Sequence, residues 1–226
     1  MLPGCDAVTF GGVNLLAEDV LLLLLDDAKG TVSPWGNTDT VLGGAVLAEL
    51  AMAGLVSLQE PRSRWRSGTV RAVGSAPAGL DPVLVEGLAK VAEKDRTART
   101  LVDKVGKRLH ATLAARLAER GVLERREGRL LGLVPRTTWP ARDTTRDNQL
   151  RRAVTVCLAD GGRPDERTAA LIVLLWAVDL AHKAVAANTG STRRQLRRRA
   201  KEISAGQWTA KAVKDAVAAH AAASGA

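Results

Sequence analysis

Three tryptophans stand where an indole is an unusual choice. Trp35 lies in "DDAKGTVSPWGN", residues 26–37, among Gly30, Ser33, Pro34, Gly36 and Asn37, all of which favour turns, so the ring belongs to a loop and not to a helix or strand face. Trp65 sits between Arg64 and Arg66 in "PRSRWRS", and Trp139 falls in "RTTWPAR". An indole beside guanidinium groups suits interfacial docking. The ring enters a bilayer boundary, contributing on the order of 2 kcal/mol by area, while each nearby Lys or Arg adds about 1 kcal/mol against an anionic leaflet. The plainer use of such a ring is to fold back onto the core, and that is the expectation for Trp65 and Trp139.

Catalytic chemistry is not signalled. His110, His182 and His220 have no His or Cys neighbour at metal-ligand spacing, so no metal site is expected. The nucleophile elbow, the phosphate loop and the dinucleotide fingerprint are all missing, and neither an enzyme nor a bound cofactor is expected. Asp26 and Asp27 form an adjacent carboxylate pair, read here as a solvated helix-to-loop boundary. Asp179, within the apolar stretch "LIVLLWAVDLA", is the acid expected to need a buried partner.

The 226 residues are 46% apolar and carry a formal net charge of +9, which points to a folded core and to polyanionic partners, nucleic acid or an acidic membrane face. Cys5 and Cys157 have no paired spacing, which fits a reducing cytoplasm. The run "VLLLLL" at 20–25 is far short of the roughly 20 residues that span a bilayer. The N-terminus has neither the basic region nor the cleavage site of a signal peptide, so membrane contact is expected to be peripheral.

The elements that would position these residues are mostly helices. A buried helix is expected from Leu15 to Asp26, and a second from Asp39, as N-cap, to Gly54, with Val41, Ala45, Leu47, Leu50 and Ala51 inward. "LVSLQE" and "GTVRAVG" read as a hairpin, followed by a helix over Asp81–Glu93 with proline at its first position. From Thr97 to Arg120 the spacing of Leu101, Val105, Leu109, Leu113 and Leu117 predicts one helix. A second hairpin follows, with "REG" at its turn. The paired glycines at Gly43 and Gly161 read as close helix packing and a helix stop. Later helices are expected over "TTRDNQLRRAVTVCLAD", with Leu150, Val154, Cys157 or Leu158 inward, over "RPDERTAALIVLLWAVDLAHKAV" as the central core helix, and over the basic run Arg193–Lys201, with Leu196, Ala200 and Ile203 inward. The sum is a mainly α fold: one helical-bundle domain over 1–226 with two short β-hairpins, a tail at 1–13 and a C-terminal helix at 207–226.

Helix followed by hairpin occurs twice, at 39–73 and 100–134, which resembles winged-helix units and makes nucleic-acid binding the alternative function. Against it, "VLGGAVLAELAMAG" has no base to reach a groove.

"LLAEDVLLLLLDDAKGTVSPW", "VLAELAMAGLVSL", "LAERGVL" with its hairpin, and "RPDERTAALIVLLWAVDLA" resemble, in order, the Golgi phosphoprotein 3 family of peripheral membrane proteins, over about Leu15 to Ala200. The resemblance implies a helical domain with a basic pocket for phosphatidylinositol 4-phosphate and an adaptor role toward membrane proteins. The family's pocket uses a tryptophan, an arginine shortly after it, and two arginines three apart on a later helix. Trp35 falls on the tryptophan, Gly43 on the nearby arginine, and Lys107 and His110 on the later pair, with Arg108 between them. The implied headgroup site is therefore Trp35, Lys107, Arg108 and His110, still basic but without paired guanidinium forks. The segment "MLPGCDAVTFGG" has no arginine cluster of the kind through which the family engages coatomer. Arginine-over-lysine and alanine-rich usage resembles a bacterial protein from a GC-rich genome. The implied partners are anionic lipids at the cytoplasmic face of a membrane, membrane-protein clients, and a second copy through the 123–134 hairpin.

Overall fold

The computed structural model describes residues 14–32, 38–59, 68–130, 134–185, 189–205, 207, 209, 211–212 and 215. Trp35, Trp65 with its flanking arginines, the 1–13 tail and most of the expected C-terminal helix lie outside the described residues.

Among the described residues the chain forms eight α-helices and five strands: α1 (Leu16–Leu24), α2 (Thr38–Met52), β1 (Val56–Gln59), β2 (Thr69–Ala72), α3 (Pro82–Ala92), β3 (Arg96–Thr97), α4 (Ala98–Gly106), α5 (Leu109–Glu119), β4 (Arg126–Leu130), β5 (Val134–Thr138), α6 (Thr145–Leu158), α7 (Glu166–Ala177) and α8 (Arg193–Ile203). The fold is mainly α, as the sequence leads one to expect. Helices α1, α2 and α7 touch one another at the centre; α4, α5 and α3 flank them on one part of the surface, and α8 rests on α7 and α6. β1, β2 and β3 make a three-stranded antiparallel sheet, and β4 and β5 a two-stranded one.

Local chemistry accounts for most of these boundaries. The Asp81 side chain accepts the Val83 N–H and Pro82 opens α3. Asp165 caps α7 through the Thr168 N–H, and Thr192 caps α8 in a reciprocal box with Gln195. Leu196 and Ala200 are buried and Ile203 half-buried, leaving Arg193, Arg194, Arg197 and Arg198 outward, while Arg199 is half-buried and donates to the Cys157 and Gly162 carbonyl oxygens. Gly161, at φ 78°, closes the turn after α6, and Leu150, Val154, Cys157 and Leu158 all face the core.

Four expectations are corrected. Asp39 is not the N-cap of α2: Thr38 is already helical, and Asp39 lies in the first turn with its carboxylate turned to the backbone of 108–110. The single helix expected over Thr97–Arg120 is two, α4 and α5, broken at Lys107–Arg108, although Leu101, Val105, Leu109, Leu113 and Leu117 are all buried as their spacing requires. "REG" is not a turn: Arg126, Glu127 and Gly128 lie inside β4, paired with Thr138, Thr137 and Arg136. Asp179 is not buried in a helix. α7 ends at Ala177, and Asp179 follows in the left-handed region at φ 60°, about half exposed, where Arg193 and Arg197 of α8 neutralise it.

Candidate functional site

The break between α4 and α5 is made by close contact with α2. A Cβ on Gly43 would lie 2.0 Å from the Val102 carbonyl oxygen and 2.7 Å from the Gly106 nitrogen; one on Gly106 would lie 1.9 Å from the Asp39 carbonyl oxygen. Only glycine allows the two backbones this near. Position 43, matched by resemblance to an arginine of the lipid pocket, therefore faces a helix crossing and has no room for any side chain.

Where α4 stops against α2, the first turn of α2 takes over the next helix's free donors. Asp39 Oδ2 accepts the Arg108 N–H at 3.0 Å and Oδ1 accepts the His110 N–H at 2.9 Å. Two of the backbone groups that α5 leaves unsatisfied are thus capped by a carboxylate some seventy residues earlier. Arg108 is held at φ 65°, ψ 9°, a conformation that costs a side-chain-bearing residue on the order of 1 kcal/mol. Beside this strut Thr40 Oγ1 donates to Asp103 Oδ1 at 2.8 Å, a second tie between α2 and α4.

Lys107 and Arg108 are exposed at this corner, and among the described residues neither side chain enters an ion pair. Both oxygens of the nearby acid, Asp39, are occupied by backbone donors. His110 is half-buried, and its Nε2 has no hydrogen-bond partner among the described residues. Burial holds its pKa below the usual histidine range, opposed by the Asp39 charge, so the ring is neutral at pH 7. Three of the four expected site residues thus share one corner, two as cations and one as a neutral ring. The fourth, Trp35, lies outside the described residues, four positions before Asp39 in the chain.

The other indole beside an arginine has the plainer role. Trp139 is buried, with the Arg125 guanidinium 5.9 Å from its ring centre, and its backbone N–H donates to the Gly30 oxygen at 2.8 Å. Gly30 is obligatory there, because at φ 60° its Cβ would fall 2.0 Å from the Pro140 nitrogen. Asp26 is also structural: its Oδ1 accepts the Ala28 and Lys29 N–H groups, closing the turn that Leu25 and Val32 bridge.

The charged centre of the molecule lies elsewhere, in α1. Glu18 and Asp19 are fully buried. Glu18 meets Arg120 at 2.7 Å and Arg116 at 3.4 Å; Asp19 receives Arg146 at 2.9 and 2.7 Å and Arg167 at 3.2 and 2.9 Å. Arg167 continues to Glu49 at 3.2 Å, whose pKa burial raises against the pull of the Leu16 N–H and Arg167. Arg116 also forks onto Asp81, holding that carboxyl below its usual range. These pairs tie α1 to α2, α5, α6 and α7. The sequence shows Glu18 and Asp19 only as polar residues early in an apolar helix, and nothing local names their partners.

Helix α2 is buried from Thr40 to Ala48, so it cannot lie in a nucleic-acid groove as a recognition helix would. Among the described residues no helix is long and apolar enough to cross a membrane. The family model for Golgi phosphoprotein 3 (GPP34) matches residues 16–220, from the first residue of α1 into the C-terminal segment. The chain belongs to the Golgi phosphoprotein 3 family.

Proposed function

We propose that this protein binds anionic phospholipid headgroups, of the phosphatidylinositol 4-phosphate type, at the Lys107–Arg108 corner, and that it serves as a peripheral adaptor for membrane proteins on a cytoplasmic membrane face. The observation that carries the reading is the pair of exposed cations without acidic partners among the described residues, fixed on a backbone that Asp39 holds. Family membership supports it. Trp35, Lys107, Arg108 and His110 are its binding residues. A tryptophan with about three to five bases suffices for reversible docking, and Lys107 and Arg108 supply two of those bases. The β4–β5 hairpin, whose residues 124–128 are exposed, is proposed to mediate self-association.

The test is cosedimentation with phosphatidylcholine vesicles, with and without an anionic phospholipid. Removing both cations in Lys107→Ala/Arg108→Ala forfeits about 2 kcal/mol, or roughly thirtyfold in affinity. Equal pelleting with neutral vesicles, or unchanged pelleting of the double variant, would refute the proposal.

A further inference from the structure

Helix α8 carries a cationic row that the headgroup reading leaves unused. Its apolar stripe is spent on α7 and α6, so the helix cannot insert into a bilayer; what it offers is charge at the rim of a cleft. That cleft, about 720 Å³, has Trp176 and Ala177 of α7 as its floor and Arg194, Arg198 and Lys201 along one side. Arg193 and Arg197 are committed to Asp179. Arg198 has only a 3.8 Å contact with Glu202, and among the described residues Arg194 and Lys201 enter no ion pair.

We infer that this cleft binds an acidic polypeptide segment bearing one apolar anchor residue. Three features select that ligand. The cations are strung along one face from Arg194 to Lys201, seven helical steps or about 10 Å at 1.5 Å per residue, which suits charges spread along a chain and not one phosphate group. A half-buried indole beside an alanine methyl makes an apolar floor with room for a side chain. A bilayer would need the ring to project, and here it is recessed. A single strand of nucleic acid would need successive rings for stacking, and the cleft has one indole. The guanidinium forks of Arg194 and Arg198 match carboxylates two-for-two. The cleft is separate from the Lys107–Arg108 corner: α8 is seated on α7 and α6, whereas α4 and α5 are seated on α2 and α1.

Fluorescence anisotropy with the full chain tests this, using a labelled short peptide of Glu and Asp around one central leucine. The peptide is expected to bind. Arg194→Ala/Arg198→Ala/Lys201→Ala, all surface changes, is expected to weaken it about tenfold, and replacing the leucine by serine to weaken it as well. Lys107→Ala/Arg108→Ala is expected to keep peptide binding while losing anionic vesicles, which separates the two sites. Four results would overturn the inference: undiminished binding by the triple variant, equal binding of the serine peptide, tighter binding of an oligothymidylate than of the peptide, or loss of vesicle binding in the triple variant.

Discussion

Asp39 holds Arg108 by its backbone: the carboxylate accepts the Arg108 N–H at 3.0 Å, and its other oxygen takes the His110 N–H at 2.9 Å. One acid in the first turn of α2 therefore starts α5. Asp39→Ala is expected to destabilise by about 1–2 kcal/mol, the range for a lost helix cap, and Asp39→Asn by less, since one acceptor survives. Urea denaturation of both variants checks the order.

The same corner trades stability for charge. At φ 65° Arg108 occupies a conformation glycine adopts freely, and glycine keeps the N–H that Asp39 requires. Arg108→Gly is expected to match or exceed wild-type stability, by up to about 1 kcal/mol, while weakening anionic-vesicle binding about fivefold through the lost cation. Parallel denaturation and cosedimentation measure the two.

Glycine at the α2–α4 crossing has no substitute. Gly43→Ala and Gly106→Ala drive a methyl into backbone atoms 2.0 and 1.9 Å away, and each is expected to cost on the order of 3 kcal/mol or more. Gly128→Ala in β4, with its nearest atom at 3.9 Å, is expected to stay within about 0.5 kcal/mol of wild type. Thermal unfolding of the three variants separates crowded from open positions.

Asp19 is fully buried between Arg146 and Arg167. Truncating it leaves two guanidinium groups in a poorly hydrated place, and Asp19→Ala is expected to destabilise by about 3–5 kcal/mol. A loss under 1 kcal/mol in chemical denaturation would show that water reaches the arginines.

His110 and His182 titrate below the usual histidine range, both mainly through burial, with the nearby Arg193 adding to the effect on His182. The unfolded chain therefore binds more protons than the folded one once pH drops through about 6.5. Stability is expected to be full above that value and to fall as pH descends toward the folded-state values. His110→Gln should flatten part of this slope. Denaturation midpoints between about pH 7 and pH 5 report it.

Much of the architecture was legible in local signals. Asp81 with Pro82 marks the start of α3, and the Leu196, Ala200 and Ile203 stripe orients α8. The kink between α4 and α5 was not legible, because the four-residue leucine spacing runs through it unchanged. Lys107, Arg108 and His110 could be singled out only by resemblance, and nothing nearby in the chain revealed that Asp39 would accept the Arg108 and His110 N–H groups, or that His110 would be half-buried.

Most of the helices with their inward faces, the presence of two hairpin segments and the basic balance followed from the chain alone, because propensity, capping and periodicity act between residues a few positions apart. Tertiary contact decided which acids are interior, with Glu18 and Asp19 inside and Asp179 outside, where the α4–α5 helix breaks, and which cations remain without partners. Those outcomes depend on charges and backbones meeting across tens of residues, and only the packed chain brings them within reach.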